Sequence, residues 1–138
     1  MAGFKAIAQL APVRATYVQT GAAAAAVDAF IFNNPAGSGE YFEVLKVSAI
    51  WEVAGSGGSN TLDIKIVPNG TALASGTSVL AATINQGGTA RTATAGVLHA
   101  TNNKVVGPGQ NLAVDLGTVT SLSGLNVVVT LQPVRLPV

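Results

Sequence analysis

The chain has 138 residues, a single-domain length; 49% of its side chains are hydrophobic and 9% charged, with a formal net charge of +1. An average globular domain is roughly 25% charged, so this one has no basic stripe to neutralise phosphates, which excludes a dedicated nucleic-acid binder. It has no cysteine, so disulfides and thiolate metal ligation are excluded as well.

The first twenty residues read as an arm or edge strand in which Pro12 divides Phe4–Leu10 from a strand-like Val13–Thr20. Gln9, Pro12 and Arg14 interrupt any leader-like apolar run, so the segment is expected to be a mature N-terminal strand. GAAAAAVDAF over 21–30 is rich in the best helix former but short and uncapped, and it runs directly into FIFNN. It reads as a loop or single turn followed by a strand over Ala29–Phe32. NNPAGSG over 33–39 is a turn.

EYFEVLKVSAIWEVA over 40–54 is β-branched and aromatic throughout. Its odd positions, including Leu45, Val47, Ala49, Trp51 and Val53, are the more apolar set and are expected to face the core. A face switch is expected near Phe42 or Val44, because so long a strand bends or bulges. Lys46 and Glu52 interrupt this stretch, and no segment approaches the roughly 20 apolar residues of a membrane-spanning helix.

GSGGSN over 55–60 is a hairpin connection, and TLDIKIV alternates with Leu62, Ile64 and Ile66 inward and Asp63 and Lys65 outward. Asn69-Gly70 marks the next turn. TSVLAATIN is read as one strand with Leu80, Ala82 and Ile84 on one face, and the Thr/Ala-rich run over 89–101 as another. NLAVDLG places Leu112, Val114 and Leu116 inside, and LNVVVTLQPVRL places Leu125, Val127, Val129 and Leu131 inside.

Seven to nine strands at this spacing predict an all-β fold, an antiparallel β-sandwich that is jelly-roll-like or a related Greek key, with extended terminal arms. The expected division is 1–20 as N-terminal arm or edge strand, 21–133 as the sandwich domain and 134–138 as a C-terminal tail. Ala and Gly bury little area per residue, so oligomerisation or docking is expected to add stability.

Chemistry-bearing residues are sparse. His99 stands alone, and a metal site would need Asp63, Asp115 or Asp28 to converge on it. No GxSxG elbow accompanies any Ser, His99 and Asp115 set, and GSGGS leads into a strand rather than a P-loop helix. No enzyme activity and no cofactor are expected. Trp51 reads as core, with a sugar-stacking platform as the alternative. Candidate inter-subunit or partner contacts are Phe4, Ile7, Leu10, Arg14, Tyr17, Arg135 and Leu136, the apolar residues and long donors flanking the domain. They would add to a neighbour's sheet edge or fold back over an open edge of their own.

The succession EVLKVSAIWEVAGSGGSNTLDIKIVPNGTALASGTSVLAATINQGG, then VVGPGQNLAVDLGTVTSLSGLNVVVTLQPV, resembles the decoration (cement) proteins on the heads of tailed bacteriophages, over roughly residues 42–133. Its last third is the more specific part. The resemblance implies a compact β-sandwich on the outer surface of an icosahedral virion, often a homotrimer. It would clamp adjacent major capsid protein subunits and resist the pressure of packaged DNA without touching nucleic acid or membrane. It also places Leu112, Val114, Leu116, Val127, Val129 and Leu131 on core positions. The alternatives are a head-fibre or spike base protein and a small carbohydrate-binding module with a glycan ligand.

Overall fold

The computed structural model describes residues 5–6, 11–22, 28–56, 60–100, 103–117 and 119–135. Its strands are β1 (Lys5–Ala6), β2 (Val13–Ala22), β3 (Asp28–Asn34), β4 (Tyr41–Val53), β5 (Thr61–Pro68), β6 (Thr77–Ser78), β7 (Ile84–Asn85), β8 (Thr94–Ala95), β9 (Val105–Val106), β10 (Gln110–Leu116) and β11 (Ser123–Arg135), with one 3-10 turn at Leu73–Ser75.

They form two antiparallel sheets. In sheet A, β11 lies between β4 and an edge made of β1 and β2, and β4 is flanked on its other side by β8 and β9. In sheet B, β10 lies between β3 and β5, and β5 is flanked by β6 and β7. The pairs nest: β2 with β11, β3 with β10, β4 with β8 and β9, β5 with β6 and β7. The chain is thus one long hairpin, with its tip after β5, folded over so that β2, β3, β4 and β5 alternate between the sheets, as do β9, β10 and β11. That order is a jelly roll, and it resolves the Greek-key ambiguity that periodicity alone leaves open.

The inward residues are the ones the alternation selects. Leu62, Ile64 and Ile66 of β5, Leu112, Val114 and Leu116 of β10, and Leu125, Val127, Val129 and Leu131 of β11 are all buried. They meet Val44, Val47, Ala49 and Trp51 of β4, also buried, in one core between the sheets. Phe32 and Phe42 close it edge to face at 5.0 Å. Burying side chains of this size stabilises by about 1.5–3 kcal/mol each.

The face switch in β4 is a bulge. Thr130 pairs with Lys46 and Leu131 with Val44, leaving Leu45 unopposed. Leu45, expected inside with the odd-numbered set, is therefore 46% exposed, and Val44 takes the buried place. Val53, at the strand's end, is also exposed rather than buried. A second bulge, at Ile31 between the Phe32–Leu112 and Phe30–Ala113 pairs, packs Ile31 and Phe32 against the core and leaves Phe30 exposed.

Two expected strands are largely irregular. In place of one strand over 77–85 there are β6 and β7, and Ala82 is exposed. The Ser78 hydroxyl accepts the Leu80 N–H at 3.1 Å and binds Asp63 Oδ1, a local arrangement that competes with ladder pairing. Over 89–101, β8 is the regular strand in a run that touches β4 intermittently, through Arg91 N–H to the Trp51 carbonyl and Gly96 N–H to the Val47 carbonyl. The expected strand over 29–32 extends to Asp28–Asn34, while the alanine run 23–27 lies outside the described residues.

The expected division at residue 20 falls inside β2, which pairs with β11 as an edge strand of the sandwich. At the other terminus Val134 is buried and paired with both Ala6 and Tyr41, so the sheet continues to Arg135 rather than ending at 133.

Two buried asparagines tie the ends of the sandwich. Asn34, 1% exposed, donates from Nδ2 to the carbonyls of Glu40 (2.9 Å) and Val106 (3.2 Å) and accepts from the Ser38 hydroxyl (2.7 Å). At the opposite end Asn60, also 1% exposed, donates to the Ser56 carbonyl and accepts the Thr120 N–H, while its own carbonyl takes the Gln86 N–H. Each links connections that are distant in sequence.

Candidate docking face

Pairing in sheet A dictates which side chains share its outer face. Cross-strand partners project to the same side, and the buried rows are Ala15–Val129–Val47 and Tyr17–Val127–Ala49. The rows between them point outward: Arg14–Thr130–Lys46, Thr16–Val128–Ser48 and Val18–Asn126–Ile50. The face is therefore hydroxyl and aliphatic, with Val18 58% and Ile50 37% exposed. The bulge adds Leu45 to it. An open groove of about 420 Å³ is lined by Arg14, Leu45, Lys46, Ser48, Val128 and Thr130.

The electrostatics of the two outer faces differ. On sheet B, Asp63 and Asp115 pair across the strands, with Lys65 2.7 Å from Asp115 and Ser78 bound to Asp63. On the outer side of sheet A, Glu52 lies beyond Ile50 and is bound by Arg91 at 2.7 Å, and Glu43, past the bulge, lies 3.9 Å from Lys104. The Arg91 hydrogen bond, followed by its charge, holds the Glu52 carboxyl below the usual range. Arg14 and Lys46 stand on either side of Thr130, and among the described residues neither has a carboxylate within ion-pair distance.

The residues singled out from sequence are scattered. Arg14 lines the groove. Tyr17 points inward beside Val127, half-buried, its hydroxyl donating to Gln19 Oε1 at 2.6 Å, and burial raises its pKa. Arg135 is exposed at the far end of β11, opposite Lys5 in the backbone register. Phe4, Ile7, Leu10 and Leu136 lie outside the described residues. Trp51 is 1% exposed, a core residue and no sugar platform.

His99 is half-buried, with its N–H donated to the Val79 carbonyl. Asp63 and Asp115 come together on sheet B, engaged by Ser78 and Lys65. Among the described residues no three His, Cys, Asp or Glu side chains are grouped to hold a metal.

Sequence reasoning missed Leu45, Lys46, Ser48, Val128 and Thr130. The signal available was the outward parity of β4 and β11; the neighbourhood of residues 14, 46 and 130 is a product of the jelly-roll order. No protein-family model, no curated protein and no solved structure matches the chain.

Proposed function

We propose that this protein is a non-enzymatic structural component of a phage head, docking on the outer surface of the capsid and clamping adjacent major capsid protein subunits. The observation that carries this reading is the outer face of sheet A: three exposed cross-strand rows of hydroxyl and aliphatic side chains, with an open groove and two cations. Such a face suits a broad, shallow contact with another protein. The sequence resemblance supplies the identity of the partner, and its framework residues Leu112, Val114, Leu116, Val127, Val129 and Leu131 are among the buried residues of β10 and β11.

The body behind the face suits a mechanical role. Hydrogen bonds from Asn34 and Asn60 join the loops at the two ends of the sandwich, which opposes separation of the sheets. With a net charge of +1, long-range steering is weak, so occupancy would come from repetition: a homotrimer on a symmetric shell engages several contacts at once.

The test is co-sedimentation of the purified protein with expanded, undecorated phage heads, counted as copies per shell. Saturation at a stoichiometry set by the shell's symmetry is expected, in multiples of three for a trimer. A folded protein that leaves the heads bare overturns the reading in favour of a spike base or a glycan-binding module.

A further inference from the structure

We propose that the groove on sheet A receives a carboxylate side chain of the partner surface, held between Arg14 and Lys46 with Leu45 as the apolar contact beside it. This rests on the docking reading above and names the chemistry its partner must present. Arg14 and Lys46 occupy one cross-strand row with Thr130 between them. Strands lie about 4.8 Å apart, so the two Cα atoms are about 10 Å apart, a span that both side chains can close over one carboxylate.

Three observations point to an acidic group on a protein. The first is charge complementarity: Lys65, Arg91 and Lys104 each have a carboxylate partner within the chain, whereas Arg14 and Lys46 have none among the described residues. Among the described residues the opposite face carries Asp63 and Asp115 against Lys65, whereas on the outer side of sheet A Glu43 and Glu52 are engaged by Lys104 and Arg91, which leaves its unpaired charge positive and complementary to an acidic surface. The second is the floor. Thr130 and Ser48 supply hydroxyl donors for a carboxylate's remaining lone pairs. The third is the wall: exposed Leu45, with Ile50 and Val18 two rows along, would be covered by a protein surface. A nucleic-acid backbone would leave those aliphatics in water and would call for more than two cations.

The experiment compares wild type, R14Q/K46Q and R14E/K46E in binding to expanded, undecorated heads at low and high salt. R91Q is the control, since it removes a positive charge from an ion pair outside the groove lining. Arg14 and Lys46 are exposed, so the variants are expected to melt like wild type. Half-saturation is expected to rise tenfold or more in R14Q/K46Q, with the salt dependence largely lost; R14E/K46E is expected not to bind, and R91Q to match wild type.

If wild type saturates the heads and R14E/K46E does so at the same concentration, the docking reading stands and the carboxylate assignment falls. If wild type leaves the heads bare, both fall. Two further results overturn the assignment: binding of a 30-mer DNA duplex that the double variant loses, which makes the groove a phosphate site, and self-association without heads that R14E/K46E abolishes, which makes a second copy its occupant.

Discussion

Asn34 offers the sharpest test of how the sandwich is held closed. Truncation in Asn34→Ala removes the donors to the Glu40 and Val106 carbonyls and the acceptor for Ser38. Each hydrogen bond contributes about 1 kcal/mol net, and a buried partner left unpaired costs about 1–3 kcal/mol. Since Asn34 is 1% exposed, water cannot substitute fully, and a loss of about 3 kcal/mol is expected. For 138 residues that corresponds to a fall in Tm of roughly 10 °C.

Asn34→Asp is isosteric and separates packing from polarity. It keeps the acceptor for Ser38 but turns a carboxylate oxygen toward two carbonyls. Burial and those carbonyl dipoles raise the folded-state pKa above the unfolded value of about 3.9. The folded state then binds more protons than the unfolded between those two values, so stability falls as pH rises through that window. Below about pH 4 the acid is protonated in both states and can donate to one carbonyl, recovering part of the loss. The assay is urea unfolding of wild type, Asn34→Ala and Asn34→Asp at pH 7 and pH 4. The aspartate variant is expected to be the least stable of the three at pH 7 and to gain on the alanine variant at pH 4. Equal stability of Asn34→Asp and wild type at pH 7, or a loss below about 0.5 kcal/mol in Asn34→Ala, would refute the reasoning, because buried hydrogen bonds of this kind cannot be lost so lightly.

Trp51→Ala is expected to cost about 3–5 kcal/mol in chemical denaturation, since the ring is buried in the core. Trp51→Phe is expected to cost less than about 1.5 kcal/mol, because it also removes an indole N–H that has no partner among the described residues. Gly124→Ala would place a Cβ 2.6 Å from Glu52 Cβ at a φ of +64°, and a loss of about 2 kcal/mol is expected; thermal melts unchanged from wild type would contradict this close approach of β11 to β4. Glu52→Gln tests the exposed pair with Arg91. The lowered carboxyl pKa means that the pair's contribution is present above the unfolded value of about 4.3 and fades as pH falls through the folded one. Melting temperatures of wild type and Glu52→Gln should therefore differ slightly near neutrality and converge in acid.

The strands legible in the sequence are those whose alternation is complete. β5, β10 and β11 each carry an unbroken period of two, and every residue assigned inward from that period is buried. The run over 89–101 has no such period: Thr and Ala supply too little apolar area for one face to be worth burying, and the chain there follows β4 through isolated hydrogen bonds. Leu45 shows a different limit. Parity forecast the switch in β4, but the residue sacrificed to the bulge depends on where β11 pairs, eighty-five positions away at Thr130. Asn34 and Asn60 read as turn residues, whereas Asn34 closes β3 and Asn60 sits just before β5; their burial and their bonds to Val106 and Thr120 follow from the nested topology. The groove on sheet A is illegible for the same reason, since it joins residues 14, 46 and 130 only once the sheet is assembled.

A chain with so few charges makes each unpaired cation count, and oligomeric repetition magnifies the effect. If one contact is weak and a trimer engages three together, linkage raises the overall avidity by orders of magnitude without any new interaction. The same multiplication applies to damage. A tenfold loss at each groove compounds, when three grooves are engaged, toward about a thousandfold in overall affinity, whereas a monomeric contact would show the tenfold loss alone. The size of the R14Q/K46Q defect, compared with that of R14Q or K46Q alone, therefore reports more than the chemistry of the groove. Single-variant effects that grow with the number of grooves engaged on the heads, beyond the effect on one isolated contact, would mark several copies bound in concert, and equal effects would mark one copy per contact.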